Sequence, residues 1–181
     1  SQFALLAAKE AITNSGLENY DEEWPENAGV ILGSSIGGIE TINYSYKQVF
    51  EHGHNRLHPL TIPKIMNNSA TSLISIEHHI QGPSFTVSSA CSSANHAMGI
   101  AYETIKSGKS KILITGGSES FLSFGGIKPW ESLRVLSQSK CRPFSRGRDG
   151  LVHGEGAGIF VFESLASAKK RKADIIAEVV G

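Results

Sequence analysis

One of the two cysteines lies where a strand-like run meets a helix-like run. Residues 86–99 read TVSSACSSANHAMG, with Cys91 at the junction. The first backbone N–H groups of a helix have no partner within it, and the helix macrodipole adds partial positive charge there. A thiolate is stabilised at such a position, and the same N–H groups can donate to the oxygen of a carbonyl under attack. The pattern indicates a cysteine nucleophile on a strand–turn–helix elbow.

The same local pattern also fits a buried structural cysteine, because cysteine is among the residue types most often buried. The small neighbours Ala90, Ser92 and Ser93 leave room for a substrate, which favours the nucleophile. These residues alone leave both interpretations open. An apolar stripe at helical spacing should bury the following helix and fix the turn; it consists of Ala94, Ala97, Met98, Ala101 and Ile105.

The other cysteine and the histidines do not form a recognisable metal site. There is no Cys-x-x-Cys pair and no Cys/His pair at zinc spacing. His52, His54 and His58 lie close together, but Gly53 interrupts them, so we expect an exposed loop rather than ligands on one helical face. Cys141 lies in a polar loop and is expected to be an inert thiol. The sequence therefore predicts no metal site.

The composition is that of a soluble globular protein. Of 181 residues, 40% are apolar and 19% are charged, and seventeen basic side chains balance seventeen acidic ones. A protein built to hold nucleic acid or an anionic membrane needs a basic excess, which this chain lacks. For the same reason, the basic run at 168–173 is interpreted as a solvated helix end. Two cysteines make no disulfide framework, so a reducing, cytoplasmic location is expected.

Helical and strand patterns alternate along the chain, which predicts an α/β fold with a mainly parallel sheet. No internal repeat or linker marks a boundary, so we expect one domain over residues 1–181. An acidic loop is expected at 17–27 and a long loop at 120–148. The predicted helices are 2–15, 38–52, 63–80, 92–107 and 165–173, and the predicted strands are 28–35, 84–90, 111–117, 156–164 and 174–180.

Seven short motifs occur in an order that resembles the β-ketoacyl-[acyl-carrier-protein] synthases, most closely the elongating, type II-like condensing enzymes. They are GSSIGG, NNSA, GPS, the segment around Cys91, GGSES, RPFSRGRDG and GEGAG. The resemblance implies a thiolase-like fold of αβαβα layers, with this chain forming most of the N-terminal half. The first strand–helix region and the C-terminal half of that fold are then absent from residues 1–181. The chain also opens without an initiator methionine and stops on a strand pattern, so we expect a segment of a longer protein.

The resemblance also implies a reaction for Cys91. The thiol takes an acyl group from the phosphopantetheine arm of acyl carrier protein, and a malonyl thioester then loses carbon dioxide. The resulting carbanion attacks the Cys91 thioester and gives 3-oxoacyl-[acyl-carrier protein]. The family's two active-site histidines and its lysine belong to the second half, so these residues alone should not complete the reaction. The chemistry implies no cofactor.

Further site residues follow from the same resemblance. Ile36 matches a residue that lines the acyl pocket, and Trp130 aligns with a bulky aromatic of the pocket wall. Arg56 and Arg134 lie near positions that present basic side chains to the acidic carrier protein; ordinary solvated charges are the alternative for both. His153 departs from the family, which carries an aliphatic residue there, and we interpret it as structural or surface-exposed.

Two other functions remain open at this point. A chain-length-factor-like partner would be catalytically silent, but such relatives typically replace the nucleophile, which is present here. A thiolase or acyl hydrolase would also use a cysteine, although the motifs resemble the ketosynthases more closely. The resemblance further implies a homodimer, with the strand at 84–89 paired to its two-fold mate. In the RGRDG motif, Arg148 and Asp149 are expected to brace the loop as an ion pair.

Overall fold

The computed structural model describes residues 1–20 and 24–181, so part of the predicted acidic loop, 21–23, lies outside the described residues. The helices are α1 (Gln2–Ser15), α2 (Ile39–Phe50), α3 (Thr61–Ile65), α4 (Ser69–Glu77), α5 (Ser93–Lys106), α6 (Phe124–Ser132) and α7 (Leu165–Lys170). The strands are β1 (Ala28–Gly33), β2 (Ser84–Val87), β3 (Ile112–Glu119) and β4 (Gly156–Glu163). Short 3₁₀ turns at Leu17–Asn19 and Trp24–Asn27 flank the undescribed residues.

The chain divides into two compact units. The first unit contains residues 1–37, 67–119 and 156–181, and the second contains 38–66 and 120–155.

The first unit is built on a sheet with strand order β2-β1-β3-β4 in the described part of the chain. β1 pairs in parallel with both β2 and β3, whereas β4 runs antiparallel to β3. The sheet is therefore mainly parallel, as predicted, with one antiparallel edge strand. Every residue of β1 is buried, as expected for a central strand with helices on both faces.

Helices cover both faces of this sheet and make a three-layered α/β/α unit. On one face, the buried side chains are Ala4, Ala8 and Ile12 of α1 and Ile74 of α4, with Val30, Leu32, Ile112 and Ile114 of the sheet. On the other face, Ala97 and Ala101 of α5 pack with Ile31 and Leu113. The predicted apolar stripe of α5 is thus the side that holds this helix on the sheet.

The second unit joins α2, α3 and α6. The backbone N–H of Gly38 donates to the Ile65 carbonyl at 3.4 Å, and a Cβ at Gly38 would lie 2.1 Å from the Lys64 carbonyl oxygen. Glycine is required there because two backbones approach each other. The Ser123 hydroxyl caps α6 by accepting from the Gly126 N–H, and it also accepts from the Asn43 amide on α2 at 3.0 Å.

Three predicted elements are wrong. The helix predicted at 63–80 is broken into α3 and α4, because Met66 is extended at the end of α3 and α4 begins only after Asn68. The loop predicted at 120–148 contains α6, which the sequence hides because two glycines and Pro129 lie within nine residues. No strand forms at 174–180, where the described residues supply no partner strand for the backbone.

Within the described residues, the helices are all too short or too polar to cross a bilayer.

Candidate functional site

The first unit gathers several candidate residues at one edge of its sheet. The parallel strands β1, β2 and β3 end there, with Gly33 in register with both Val87 and Gly117. In open α/β sheets, ligands bind outside the carboxyl ends of parallel strands. Cys91 follows β2 at this edge, and Ile36 follows β1. The structure therefore brings these two predicted site residues to the same edge of the sheet.

Cys91 lies on a tight turn between β2 and α5, and its side chain is exposed. The helix begins at Ser93 with Ser92 as its N-cap, one residue later than predicted. The preceding residue, Ala90, has a φ of 53°, a left-handed conformation that is unfavourable for a residue with a Cβ. The predicted elbow therefore exists, and its backbone is strained next to the thiol.

Ser93 holds this strained turn in place. Its hydroxyl donates to the Ala90 carbonyl oxygen at 2.6 Å and accepts from the Ser89 N–H at 2.9 Å. The Ser93 side chain is buried and both hydrogen bonds are part-buried, so the turn is only partly open to water. The hydroxyl of Ser89 is itself 2.6 Å from His96 Nδ1, one turn further along α5. Polar contacts thus fix the backbone on both sides of Cys91.

Glycines let the first turn of α5 lie directly on the sheet. A Cβ at Gly33 would lie 2.3 Å from the Ala94 nitrogen, and one at Gly117 would lie 2.7 Å from the Ala94 Cβ. Side chains at these positions would push the helix N-terminus away from the strands. The position of Cys91 relative to the sheet edge therefore depends on two facing glycines.

The loop that carries Ile36 is tied to the segment before Cys91. The Ser34 N–H donates to the Val87 carbonyl oxygen at 3.2 Å, and the Ser88 hydroxyl donates to the Ser35 carbonyl oxygen at 3.2 Å. Ile36 itself is 38% exposed, so its side chain is open to a ligand.

Glu119 is a polar residue at this edge that the sequence analysis did not assign. It is the last residue of β3, and its Oε2 accepts from both the N–H and the hydroxyl of Ser35, at 2.6 and 2.5 Å. Its Oε1 accepts from the Ser34 hydroxyl at 3.4 Å. The sequence signal that could have identified Glu119 is a carboxylate at the end of a strand, in the GGSES motif. Parallel strands end at the same edge of a sheet, so this carboxylate should lie near the end of β1.

Trp130 belongs to the second unit, where it packs in an aromatic cluster with Phe121 and His153. Its ring centroid lies 4.9 Å from that of His153 and 6.4 Å from that of Phe121. His153 Nε2 is buried and has no hydrogen-bond partner among the described residues. This placement agrees with a structural role for His153. His153 also lines a cavity of about 200 Å³, together with Leu122, Ile127, Leu136, Ser137, Leu151 and Val152.

Arg56 and Arg134 are both exposed in the second unit. Neither guanidinium makes an ion pair or a hydrogen bond with another described residue. Arg134 lies two residues after the end of α6 and has a φ of 56°. Both side chains are therefore accessible to an anionic partner.

Groups of three or more metal-ligating side chains do not occur in the part of the chain that the structure describes. Cys141 is a free thiol and, like Cys91, is exposed. The two thiols therefore differ in their backbone setting rather than in their exposure.

Comparison with known proteins gives consistent matches over the whole chain. It is 41% identical over 181 residues to Nodulation protein E of Rhizobium sp. (strain N33), covering 100% of this chain and 45% of that protein. It is 38% identical over 186 residues to 3-oxoacyl-[acyl-carrier-protein] synthase 2 of Staphylococcus aureus, covering 100% of this chain and 46% of the relative. The chain thus spans less than half the length of these relatives.

Solved ketosynthase structures have the same fold. A β-ketoacyl synthase from Burkholderia phymatum STM815 superposes with a TM-score of 0.83 at 32% identity, over 95% of this chain and 43% of that one. The ishigamide ketosynthase/chain length factor gives a TM-score of 0.88 at 28% identity, over 99% and 45%. A ketosynthase in complex with its type II PKS acyl-carrier protein gives 0.84 at 29% identity, over 96% and 45%.

These matches confirm the prediction that the chain has a thiolase-like α/β fold and forms the N-terminal half of that fold. The family described as "Beta-ketoacyl synthase, N-terminal domain" matches residues 1–168. With the cysteine elbow at the carboxyl edge of a mainly parallel sheet, and with that match over most of its length, the chain belongs to the β-ketoacyl synthase family.

Proposed function

We propose that a protein carrying this chain is a 3-oxoacyl-[acyl-carrier-protein] synthase that uses Cys91 as its nucleophile. The observation that carries the proposal is the exposed Cys91 thiol on a strained elbow, two residues before the start of α5. The unpaired N–H groups of a helix start stabilise a thiolate and the oxyanion that forms when the thiolate attacks. The relatives named as 3-oxoacyl-[acyl-carrier-protein] synthases support the same assignment.

The reaction runs in two bond-forming steps. The Cys91 thiolate attacks the carbonyl carbon of an acyl thioester; the new C–S bond forms, the bond from that carbon to the pantetheine sulfur breaks, and the pantetheine leaves as a thiolate that takes a proton from water. A malonyl thioester then breaks its bond to the carboxylate, which leaves as carbon dioxide and gives an enolate. The enolate carbon attacks the acyl carbonyl, the C–C bond forms, and the C–S bond to Cys91 breaks to return the thiolate.

The resemblance assigns the two histidines and the lysine of the active site, which act in the decarboxylation step, to the second half of the family's fold. Residues 1–181 match only the first half. The chain spans less than half of its relatives, so we assign it the nucleophile and part of the acyl site only. Ile36 and Trp130 are proposed as residues of the acyl site. Ile36 is supported by its place at the same sheet edge as Cys91, and Trp130 by its resemblance to an aromatic of the pocket wall.

Acyl carrier protein is the proposed macromolecular substrate, and Arg56 and Arg134 are proposed contacts for its acidic surface. A structural relative at 29% identity is described in complex with its acyl-carrier protein. Charge reversal Arg134→Glu should raise KM for the acyl-carrier-protein substrate and leave KM for a free acyl-pantetheine thioester unchanged. Arg134→Lys keeps the charge and serves as the control. Equal effects on the two substrates would contradict this contact.

The proposed assembly is a homodimer through β2. This strand is at the edge of the described sheet, and Phe85 is 41% exposed. An unpaired edge strand is a template for pairing with another chain, and two-fold symmetry is the commonest arrangement. Sedimentation equilibrium of the full-length protein tests the dimer.

We also propose a cytoplasmic location, because two exposed free thiols suit a reducing compartment.

A catalytically silent partner of the chain-length-factor type is the second candidate, since one structural relative contains such a subunit. Intact-mass measurement after incubation with an acyl-pantetheine thioester separates the two. The proposed enzyme gains one acyl group, mapped to Cys91, and Cys91→Ala abolishes the gain while Cys141→Ser does not. A wild-type protein that gains no acyl group at Cys91 is not the proposed enzyme.

A further inference from the structure

Glu119 contacts the loop that follows β1 through three hydrogen bonds. Residues 34–38 follow β1 without regular secondary structure, and Gly37 has a φ of 73°. Three donors of this loop, the Ser35 N–H and the hydroxyls of Ser35 and Ser34, all point to the Glu119 carboxylate. The Ser35 hydroxyl contact, at 2.5 Å, is in the range of charge-assisted hydrogen bonds from a hydroxyl to a carboxylate, and the Ser35 N–H contact is also short, at 2.6 Å.

The same loop is linked to the nucleophile segment on its other side. Ser88, three residues before Cys91, donates its hydroxyl to the Ser35 carbonyl oxygen at 3.2 Å. Ser35 is thus held by its N–H, its hydroxyl and its carbonyl, between the end of β3 and the end of β2. Ile36 is the next residue, so its backbone position is set by these contacts.

We infer that Glu119 is a positioning residue that fixes the Ile36 loop beside the Cys91 elbow and thereby sets how efficiently long acyl chains are accepted at Cys91. This inference rests on the proposed function, in which Cys91 carries the acyl group and Ile36 lines its site. A long acyl chain gains from a wall held in place, because a preformed apolar surface costs no ordering when the chain binds. An acetyl group offers little apolar surface to such a wall, so its transfer to Cys91 should not depend on Glu119.

The experiment compares acylation of Cys91 in the full-length protein by acetyl-pantetheine and by dodecanoyl-pantetheine, followed by intact mass. Glu119→Ala should lower kcat/KM for dodecanoyl transfer about tenfold and change acetyl transfer less than about twofold, a discrimination within reach of one apolar wall. Glu119→Gln keeps an acceptor oxygen and should restore most of the ratio. Glu18→Ala, which removes an equal charge far along the chain, should leave the ratio at the wild-type value.

Ser35→Ala is a milder variant that tests the same contact without the risk that loss of the Glu119 carboxylate disturbs folding. It removes one hydroxyl and leaves the carboxylate in place. It should shift the same ratio in the same direction by about threefold, the effect of one hydrogen bond. A wild-type ratio in both Glu119→Ala and Ser35→Ala overturns the inference while the proposed function stands, and so does an equal fall for both acyl donors. Failure of the wild-type protein to acylate Cys91 overturns the proposed function and the inference together.

Discussion

The Ser93 hydroxyl lies 2.6 Å from the Ala90 carbonyl oxygen and bridges the turn that carries Cys91. The same hydroxyl accepts from the Ser89 N–H, so one buried side chain satisfies backbone groups on both sides of a left-handed residue. Strained conformations persist only where the surrounding contacts determine them. Ser93 is therefore the residue on which the shape of the elbow depends.

Ser93→Ala should lower the free energy of unfolding by about 1–2 kcal/mol, because it removes two part-buried hydrogen bonds, one from the Ser89 N–H and one to the Ala90 carbonyl oxygen. It should also change the alkylation rate of Cys91 by iodoacetamide, since the turn is free to relax. Ser92→Ala is the matched control: Ser92 caps α5 without a side-chain hydrogen bond. Urea unfolding and intact-mass kinetics measure both variants. Equal behaviour of the two would contradict a special role for Ser93.

Gly33→Ala should destabilise the protein by about 3 kcal/mol, near the upper end of what overpacking costs. The added Cβ would lie 2.3 Å from backbone atoms of Ser93 and Ala94, so the start of α5 must shift. Gly99→Ala is the control within α5, where an added Cβ meets no atom within 4 Å. That change should stabilise the helix by up to about 1 kcal/mol. Thermal unfolding of both variants checks the opposite signs, and a loss of stability in both would contradict the argument.

Much of this fold could be predicted because its core signals are local and strong. The helix predicted at 2–15 is α1 at its full length, and the predicted start of α5 is one residue from the observed one. β1 was recognisable as an uninterrupted apolar run, which a central strand requires. α6 could not be predicted, since glycines and a proline oppose helix formation there and its Ser123 cap is tied to a distant residue, Asn43.

The part of the site that lies on one continuous segment could be predicted from the sequence. The contacts between residues that are distant in sequence could not. Cys91 follows from a strand–helix junction that any reader can see in the sequence. The link between Glu119 and Ser35 joins residues 84 positions apart, and no local pattern predicts such a contact. The RGRDG motif shows the same limit: Asp149 pairs with Arg142 at 3.1 Å, whereas Arg148 donates to the Ser145 carbonyl, so the predicted Arg148–Asp149 pair is wrong.

The basic run at 168–173, interpreted from the sequence as a solvated helix end, contributes Arg171 to a buried ion pair with Glu163. Arg171 donates through Nε to both oxygens of Glu163 at 3.0 and 2.8 Å, and both side chains are only 6% exposed. Its Nη1 also donates to the Ser15 carbonyl at the end of α1. The guanidinium thus joins α1, β4 and the end of α7.

Arg171→Met should lower the free energy of unfolding by about 3–5 kcal/mol, because it leaves the Glu163 carboxylate buried without its counter-charge. Lys128→Met is the control, since Lys128 and Glu131 form a pair that is 53% and 48% exposed. That change should cost no more than about 1 kcal/mol. Urea unfolding gives both values. The double variant Arg171→Met with Glu163→Leu should recover much of the loss, and an unchanged loss in the double variant would contradict the charge argument.

His78 makes stability depend on pH near neutrality. Burial lowers the pKa of His78 below its ordinary value, and the carboxylates of Glu77 and Glu18 oppose that shift only in part. Its Nε2 is buried without a hydrogen-bond partner among the described residues, as suits a neutral ring. The unfolded chain therefore binds a proton at a pH where the folded chain does not.

Because the pKa of His78 is lower in the folded protein, its contribution to stability is fully present above the pKa of the unfolded chain, about 6.5. This contribution is lost as the pH falls towards the pKa of the folded protein. Wild-type protein should thus lose more free energy of unfolding between about pH 7.5 and about pH 5 than His78→Gln, which cannot titrate. His52→Gln, in an exposed loop, should follow the wild-type curve. Urea unfolding across this range measures the three slopes. Parallel curves for wild type and His78→Gln would show that the imidazole is as easily protonated in the folded protein as in the unfolded chain.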